Sequence, residues 1–385
     1  MTLITDNAAL EALCARLRRE PFVTVDTEFM RDRTYWPQLC LVQLAGENEA
    51  VAIDPLAPGI DLAPLADLLR DTRVLKVMHA CRQDMEIFYH LCGRQAPRPI
   101  FDSQVAAMVC GFGEEVGYET LVNRLTKGRL DKTARFTDWA RRPLSDKQIA
   151  YALADVTHLR VIFEKLAKRI EREGRASWVE EELDAFLDPA LYEMKPEDAW
   201  KRLKFRSREP RFVALVQALA AWREATAQRR NLPRNRVVRD DLLMELAAAR
   251  PRRIEDLKAI NRVNVDRESA AAIVAAVDEV MRRDEADLPA LPPVEPTPRG
   301  IGPLTDLLKV LLKLCAEESD VAQRLIATSS DLDALAQDDT ADVPALKGWR
   351  RRIFGDKALA LKAGELALAV GDRRIRVVDL AAPHG

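Results

Sequence analysis

Cysteine, glycine and aromatic residues are scarce in this sequence: 6 Cys, 15 Gly and 6% Phe, Trp and Tyr among 385 residues. No two cysteines form a C-x-x-C pair and the 4 histidines are scattered, so neither a zinc site nor, in so long a chain, a disulfide framework is expected. With 48% hydrophobic and 31% charged residues, the low glycine content excludes collagen-like, low-complexity and wholly disordered chains. No run approaches the ~18 apolar residues of a spanning helix. Met1–Asp6 lacks the basic region and apolar run of a signal peptide. A cytoplasmic protein with reduced thiols is expected, away from the membrane and with no obligate protein partner evident. Neither sign of charge dominates: 59 Lys and Arg against 61 Asp and Glu leave −2. There is no global positive field to attract nucleic acid, so any such site must be local.

What is present points to two or three domains. Phe22–Phe29, Leu39–Ala45 and Ala50–Ile53 are β-type runs whose connections are too short for helical crossovers, which predicts an antiparallel meander. An amphipathic stretch (Leu62–Leu69), a compact apolar strand (Leu75–Met78) and a helix (Gln83–Leu91) follow. That alternation predicts a mixed sheet, with the later strand on the meander's edge and helices outside. From Asp102 to about Arg175 the pattern is helical, with Ser145–Arg169 the longest candidate. Residues 201–239 then hold 12 Lys and Arg against 2 Glu, a local +10. Helical periodicity runs from Phe212 to Val280 with a break at Leu232-Pro233. Five prolines at 289–298 make a stiff linker, and a last helical segment spans Pro303 to Val370. A faint echo links Val237-Val238 and Leu246-Ala247 with Leu325-Ile326 and Leu335-Ala336, the spacing differing by one residue.

Three segments carry chemistry. In Val23-Thr24-Val25-Asp26-Thr27-Glu28-Phe29 residues two apart share a strand face, so Asp26 and Glu28 project together. Two carboxylates inside an apolar strand are costly to bury unless neutralised. A hard divalent cation would serve; a strand end with two solvated acids is the alternative. In Tyr151-Ala152-Leu153-Ala154-Asp155 the tyrosine and the aspartate lie four apart on one helix face. In Lys76-Val77-Met78-His79-Ala80-Cys81-Arg82-Gln83-Asp84 a strand passes into a helix whose first turn carries an acid, a placement that dipole compensation alone also explains.

Taken together, these segments resemble the DEDD exonuclease superfamily, and the Tyr–Asp spacing its tyrosine subclass. Asp26-Thr27-Glu28-Phe29, Tyr35-Trp36-Pro37-Gln38-Leu39-Cys40-Leu41-Val42-Gln43-Leu44, Phe101-Asp102-Ser103-Gln104, Asp131-Lys132-Thr133-Ala134-Arg135-Phe136-Thr137-Asp138-Trp139 and Arg142-Pro143-Leu144 are similar to the bacterial ribonuclease D family. Residues 207–283 resemble the helicase-and-RNase-D C-terminal (HRDC) domain through Ala221-Trp222-Arg223-Glu224, Asn231-Leu232-Pro233 and Pro251–Leu257. Residues 302–371 resemble a more diverged copy, best marked by Gly348-Trp349-Arg350. One departure is Cys81-Arg82-Gln83, where relatives often have small or acidic residues; the arginine is a candidate for altered substrate contacts.

The resemblance implies an α/β ribonuclease-H-like 3′–5′ exonuclease domain (1–175), a connector (176–206), a first all-α HRDC domain (207–285), a Pro-rich linker (286–301), a second HRDC-like all-α domain (302–373) and a tail (374–385). It implies two Mg²⁺ or Mn²⁺ ions held by Asp26, Glu28, Asp84 and Asp155, with hydrolysis from a free 3′ end to nucleoside 5′-monophosphates. Tyr151, whose phenol is a poor base at neutral pH, would orient the attacking water. The implied substrate is RNA with a free 3′ end, specifically tRNA precursors. The acids themselves do not separate RNA from DNA, a choice that rests on contacts to the 2′-OH. A DNA exonuclease and a retired nucleic-acid-binding scaffold are the alternatives, the scaffold disfavoured by the intact acids. Lys132 and Arg135 are candidate phosphate contacts and Tyr35, Gln38 and His79 candidate substrate contacts, Tyr35 and Trp36 by stacking on bases. Trp36 and Trp139 are otherwise core residues, His79 a packing or supporting group, and Asp102 and Asp138 helix caps or orienting groups rather than metal ligands. The basic stretch at 201–239 is expected to be an RNA-binding platform.

Overall fold

A two-residue strand, β1 (Leu3–Ile4), leads into α1 (Asn7–Leu17), started by Asp6, whose carboxylate accepts the Ala9 N–H. The computed structural model describes residues 3–130, 137–260, 265–290 and 300–380. The expected meander follows as β2 (Phe22–Met30), β3 (Gln38–Ala45) and β4 (Ala50–Ile53), each antiparallel to the next. Then come α2 (Ala63–Arg70), β5 (Leu75–Met78), α3 (Arg82–Leu91), β6 (Ile100–Asp102) and α4 (Ser103–Val109). Helices α5 (Tyr118–Leu125), α6 (Asp146–Arg172) and α7 (Ala176–Asp184) complete the N-terminal unit. The six-stranded sheet has the order β1-β4-β3-β2-β5-β6, and β5 lies parallel on the edge of the meander as expected. Strands β1 and β6 extend the two edges; at two and three residues they are too short to show a period.

Helix α6 is longer than its apolar pattern predicted. Ser145 and Gln148 form a reciprocal capping box at its start, and Arg169 and Arg172 lie in its last turn, where cations suit the helix dipole. Its approach is fixed by Arg142, which donates two bonds to the Asp54 carboxylate (2.6 and 2.7 Å) and others to the Trp139 and Cys40 carbonyls. The helix thereby crosses the sheet with Val156, Leu159 and Ile162 buried.

The helical region consists of two units with the same opening. The first contains α8 (Pro210–Arg230), α9 (Arg234–Val237), α10 (Asp240–Ala249), α11 (Ile254–Leu257) and α12 (Arg267–Arg282). The second contains α13 (Ile301–Ser319), α14 (Gln323–Ile326), α15 (Ser329–Gln337) and α16 (Gly348–Arg350), which runs through a π turn into α17 (Asp356–Ala363). Both long helices end on a left-handed residue, Asn231 and Asp320, an offset of 89 residues (231 to 320). At that offset α9 meets α14, α10 meets α15, and buried Leu243 and Leu246 meet buried Leu332 and Leu335. The echo read from the sequence was one residue out of step: Val237-Val238 corresponds to Ile326-Ala327, and the spacing is then identical.

The second unit is not all-α, which corrects the expectation of a helical segment to Val370 and of a domain ending at 373. Helix α17 stops at Gly364, in the left-handed region at φ +77°, and a hairpin follows, β7 (Leu366–Gly371) with β8 (Arg374–Asp379). The Leu and Ala residues of β7 read as helix formers. The two-residue turn Asp372-Arg373, both at positive φ, closes the hairpin and overrides that local preference.

Each unit presents its left-handed cap residue to the N-terminal unit. Asn231 Oδ1 accepts the backbone N–H groups of Tyr35 (3.1 Å) and Trp36 (3.0 Å). Asp320 accepts Arg169 (2.7 Å), and its carbonyl accepts Arg175 (3.0 Å). Trp178 of α7 stacks on Trp349 at 4.5 Å and 8°. Gly111 lets Asp320 approach closely, since a Cβ there would stand 2.7 Å from the Asp320 carbonyl oxygen.

Candidate active site

The face of β2 that carries Asp26 and Glu28 is turned toward α6. Thr24, on the same face, donates its hydroxyl to the Val156 carbonyl at 2.8 Å, which sets the register between strand and helix. Asp155, the preceding residue, is thereby brought to the two strand acids. One carboxylate oxygen from each of Asp26, Glu28 and Asp155 lies within 4.8 Å of the others. Asp84 stands on α3 and is buried, accepting the Thr27 hydroxyl. Three of the four expected ligands converge and the fourth is held beside them, its charge felt by both Asp26 and Glu28.

The corner between β5 and α3 is shaped for this. Ala80 adopts φ +51°, a left-handed conformation that is strained for a residue with a Cβ. The Asp102 carboxylate holds it there by accepting the N–H groups of Ala80 (3.3 Å) and Cys81 (2.7 Å) while also capping α4 through Gln104 and Val105. Asp102 is thus the cap and orienting group expected of it. His79 Nδ1 pairs with the Ser103 hydroxyl at 2.9 Å, and burial lowers the imidazole pKa, only partly offset by Asp102, which keeps the ring neutral. Its ring lies 5.3 Å from Tyr118, whose hydroxyl donates to the carbonyls of Asp155 (2.5 Å) and Ala154 (3.2 Å). A cavity of about 260 Å³ opens here, lined by Asp26, His79, Tyr118, Leu130, Tyr151 and Asp155. Tyr151 lies one turn before Asp155, its ring 6.2 Å from the buried Trp139.

Burial and mutual repulsion dominate the electrostatics of Asp26 and Glu28. Burial first, and then Asp84, Asp155 and Glu28, push the Asp26 carboxyl well above its ordinary range. Burial and then Asp155 and Asp84 raise Glu28 to about 8. Burial raises Asp84 to about 7, although the Thr27 hydroxyl and a backbone N–H counteract it. Among the described residues no Lys or Arg pairs with Asp26 or Glu28. An all-oxygen donor set with mutually repelling carboxylates suits a hard divalent cation.

The other expected contacts fall differently. Gln38 is exposed at the start of β3, opposite Met30. Tyr35 does not present a free ring: it is buried at 8% exposure, edge-on to Trp36 and beneath the Arg234 guanidinium, with its hydroxyl donating to Glu224. It joins the N-terminal unit to the first helical unit, a role that its position after a strand could not reveal. Lys132 and Arg135 lie outside the described residues. Sequence reasoning missed Tyr118 and Arg142 as shaping residues. Neither belongs to a spacing pattern, and only the fold brings Tyr118 to α6 and Arg142 to Asp54 and the Cys40 carbonyl.

Comparison with known proteins decides the family. A family model described as a 3′–5′ exonuclease matches residues 1–171, and the HRDC domain model matches residues 213–274. Ribonuclease D of Granulibacter bethesdensis is 51% identical over 98% of this chain and 96% of its own length. That of Gluconacetobacter diazotrophicus is 50% identical over 97% and 96%. The chain belongs to the ribonuclease D family. It is therefore a 3′–5′ exoribonuclease, with a mixed α/β catalytic core followed by a helical region. The crystal structure of Escherichia coli RNase D, described as an exoribonuclease involved in structured RNA processing, superposes with a TM-score of 0.82 at 30% identity, covering 94% of this chain and 98% of that one. Nuclease chemistry of this family depends on divalent metal, and the acid cluster is where this chain can hold it. Among the described residues no helix is long and apolar enough to cross a membrane.

Proposed function

We propose that this chain trims the 3′ ends of tRNA precursors, releasing nucleoside 5′-monophosphates, with two Mg²⁺ or Mn²⁺ ions per site. The observation that carries the reading is the convergence of Asp26, Glu28 and Asp155, with Asp84 near them, at a cavity lined by Asp26, Asp155 and Tyr151. Asp26, Glu28, Asp84 and Asp155 would hold the ions. Once bound, these would supply ionised water near neutral pH and charge stabilisation for the departing 3′ oxygen. Tyr151 orients the attacking water from one helical turn before Asp155. Tyr118, its hydroxyl committed to the backbone of α6, keeps that helix at the right height. His79, neutral and tied to Ser103, supports the cavity wall and keeps positive charge away from the acids. Lys132, Arg135 and Gln38 are the proposed contacts to RNA.

The proposed layout is a nuclease domain at 1–175, a connector, an HRDC domain at 207–285, a Pro-rich linker at 286–301 and a second HRDC-like domain from 302, its end carried from 373 to Asp379 by the hairpin. The 89-residue correspondence between the helical units supports reading the second as a diverged copy. Purified protein incubated with 3′-tailed tRNA and with a matched DNA strand, with and without Mn²⁺, tests the reading. Metal-dependent loss of the RNA tail one nucleotide at a time is expected. Equal or faster degradation of the DNA would make this a DNA exonuclease instead.

A further inference from the structure

The basic stretch at 201–239 is less available than its composition suggests. Of its 12 Lys and Arg, 7 are committed within the fold, Arg211 to main-chain carbonyls at the end of α12 and Arg223, Arg230 and Arg234 to carboxylates among them. Four of the remaining five are Arg202, Lys204, Arg206 and Arg208, and among the described residues none of these four has an ion pair or a side-chain hydrogen bond. Arg202 is the last residue of a 3₁₀ helix (Pro196–Arg202), and Lys204, Arg206 and Arg208 lie in the segment between it and α8, which is neither helix nor strand and is extended at Leu203 and Glu209. Burial alternates from Arg202 to Arg206, with Leu203 and Phe205 half-buried against the core of the first helical unit; from Arg206 to Pro210 every residue is exposed, Arg208 among them.

Where burial alternates, residues two apart share a side at a step of about 6.6 Å for extended backbone, which puts Lys204 beside Arg206, with Arg202 before them and Arg208 after them on exposed positions. That step is comparable to the phosphate spacing of an extended single strand. The row begins at a second groove. Arg202 lines a groove of about 440 Å³ with Trp36, Arg82 and Gln83, and Arg82 and Gln83 belong to the first turn of α3, which carries Asp84. Arg82 is exposed and likewise without an ion pair among the described residues, whereas Arg31 in the same groove is held by both Glu86 oxygens.

We infer that residues 202–208 form a track for the backbone of single-stranded RNA, meeting four consecutive phosphates through Arg202, Lys204, Arg206 and Arg208 and passing the strand by way of Arg82 toward the catalytic cavity. The inference rests on the RNA-hydrolase reading and deepens it: the contact surface is the strap leading into the first helical unit, and the helices behind it serve as its support. The track reads charge and spacing and is therefore independent of base sequence.

The test is salt-dependent binding of a single-stranded RNA of about 16 nucleotides, long enough to reach the strap, measured in an Asp26→Asn background so that the RNA survives. Each single-strand phosphate contact contributes ~0.7 to the slope of log affinity against log salt, so replacing the four cations together by Gln should flatten it by ~3. Between about 50 and 200 mM salt the parent would then lose roughly 50-fold more affinity than the strap variant. Arg202→Lys, Arg206→Lys and Arg208→Lys combined should keep the slope, and thermal unfolding of both variants should match the parent. Identical slopes with and without the strap charges overturn the proposal. So does loss of poly-glutamate binding with RNA binding intact, which would make the strap a site for an acidic protein. Hydrolysis of the same RNA by the unmutated chain is scored separately. Failure there would overturn the nuclease reading, while a flattened slope would still establish the track.

Discussion

Two acidic sites in this molecule, one fully buried and one half-buried, are treated in opposite ways. Glu224 on α8 is fully buried, yet Arg234 meets both its oxygens and the Tyr35 hydroxyl donates to it. Burial alone would raise its pKa, but the bonds from Arg234 and Tyr35 outweigh it and hold the carboxyl below its ordinary value. In the catalytic cavity the carboxylates of Asp26 and Glu28 face other acids instead, and both are raised. Where a carboxylate is structural, the fold supplies the cation. In the cavity no described Lys or Arg pairs with Asp26 or Glu28, an arrangement that costs stability and suits a cation supplied from solution.

The largest test of this contrast is Asp26→Asn. Removal of a metal-holding carboxylate should lower hydrolysis of a 3′-tailed RNA by about 10³-fold or more, yet leave the metal-free melting temperature unchanged or higher, because a repulsion disappears. Tyr151→Phe should cost ~10²-fold in single-turnover rate at saturating RNA with little change in affinity, as expected for a group that orients water. An unchanged rate would make the tyrosine structural. Glu224→Gln should behave oppositely to Asp26→Asn, leaving the chemistry intact and destabilising the protein. Breaking a buried pair typically costs 3–5 kcal/mol, and with a third of the Arg234 side chain in solvent about 2–3 kcal/mol is expected in denaturant titrations.

The smallest effect is in pH. Glu28 and Asp84 have raised folded-state values, about 8 and about 7. Their contribution to stability is fully present below the unfolded carboxylate range near 4 and is lost as pH rises through 7 to 8. Glu224, lowered on folding, contributes above that range and loses its contribution as pH falls through its folded value. In the presence of a chelator the melting temperature should therefore drop by a few degrees between pH 6 and 8.5, and in Glu28→Gln that drop should shrink.

Much of the site was legible because its pattern is local. Asp26 and Glu28 share a strand face by period two, and Tyr151 and Asp155 a helix face by period four, so their pairing needed no fold. Their meeting across β2 and α6 did not follow from spacing; it depends on the bond from Thr24 to Val156. Tyr35 shows the converse. Beside Trp36 on a loop it reads as a base-stacking residue, yet its partners Glu224, Gln228 and Arg234 lie almost 200 residues away. The repeat was visible but misaligned by one residue, because apolar dipeptides recur by chance, whereas the left-handed caps at Asn231 and Asp320 anchor the register. The C-terminal hairpin was hidden by helix-forming Leu and Ala, its turn determined by two residues at positive φ.

The central claim, that the raised carboxylates of the cavity await divalent metal, is tested most directly by calorimetric titration with Mn²⁺ at pH 6.5 in two buffers of different ionisation enthalpy. Binding must displace protons held by Glu28 and Asp84, so the apparent heats should differ between buffers and report proton release. In the Asp26→Asn, Asp155→Asn double variant both the binding and the buffer difference should vanish. Equal Mn²⁺ binding by the double variant, or binding by the parent without proton release, would contradict the account.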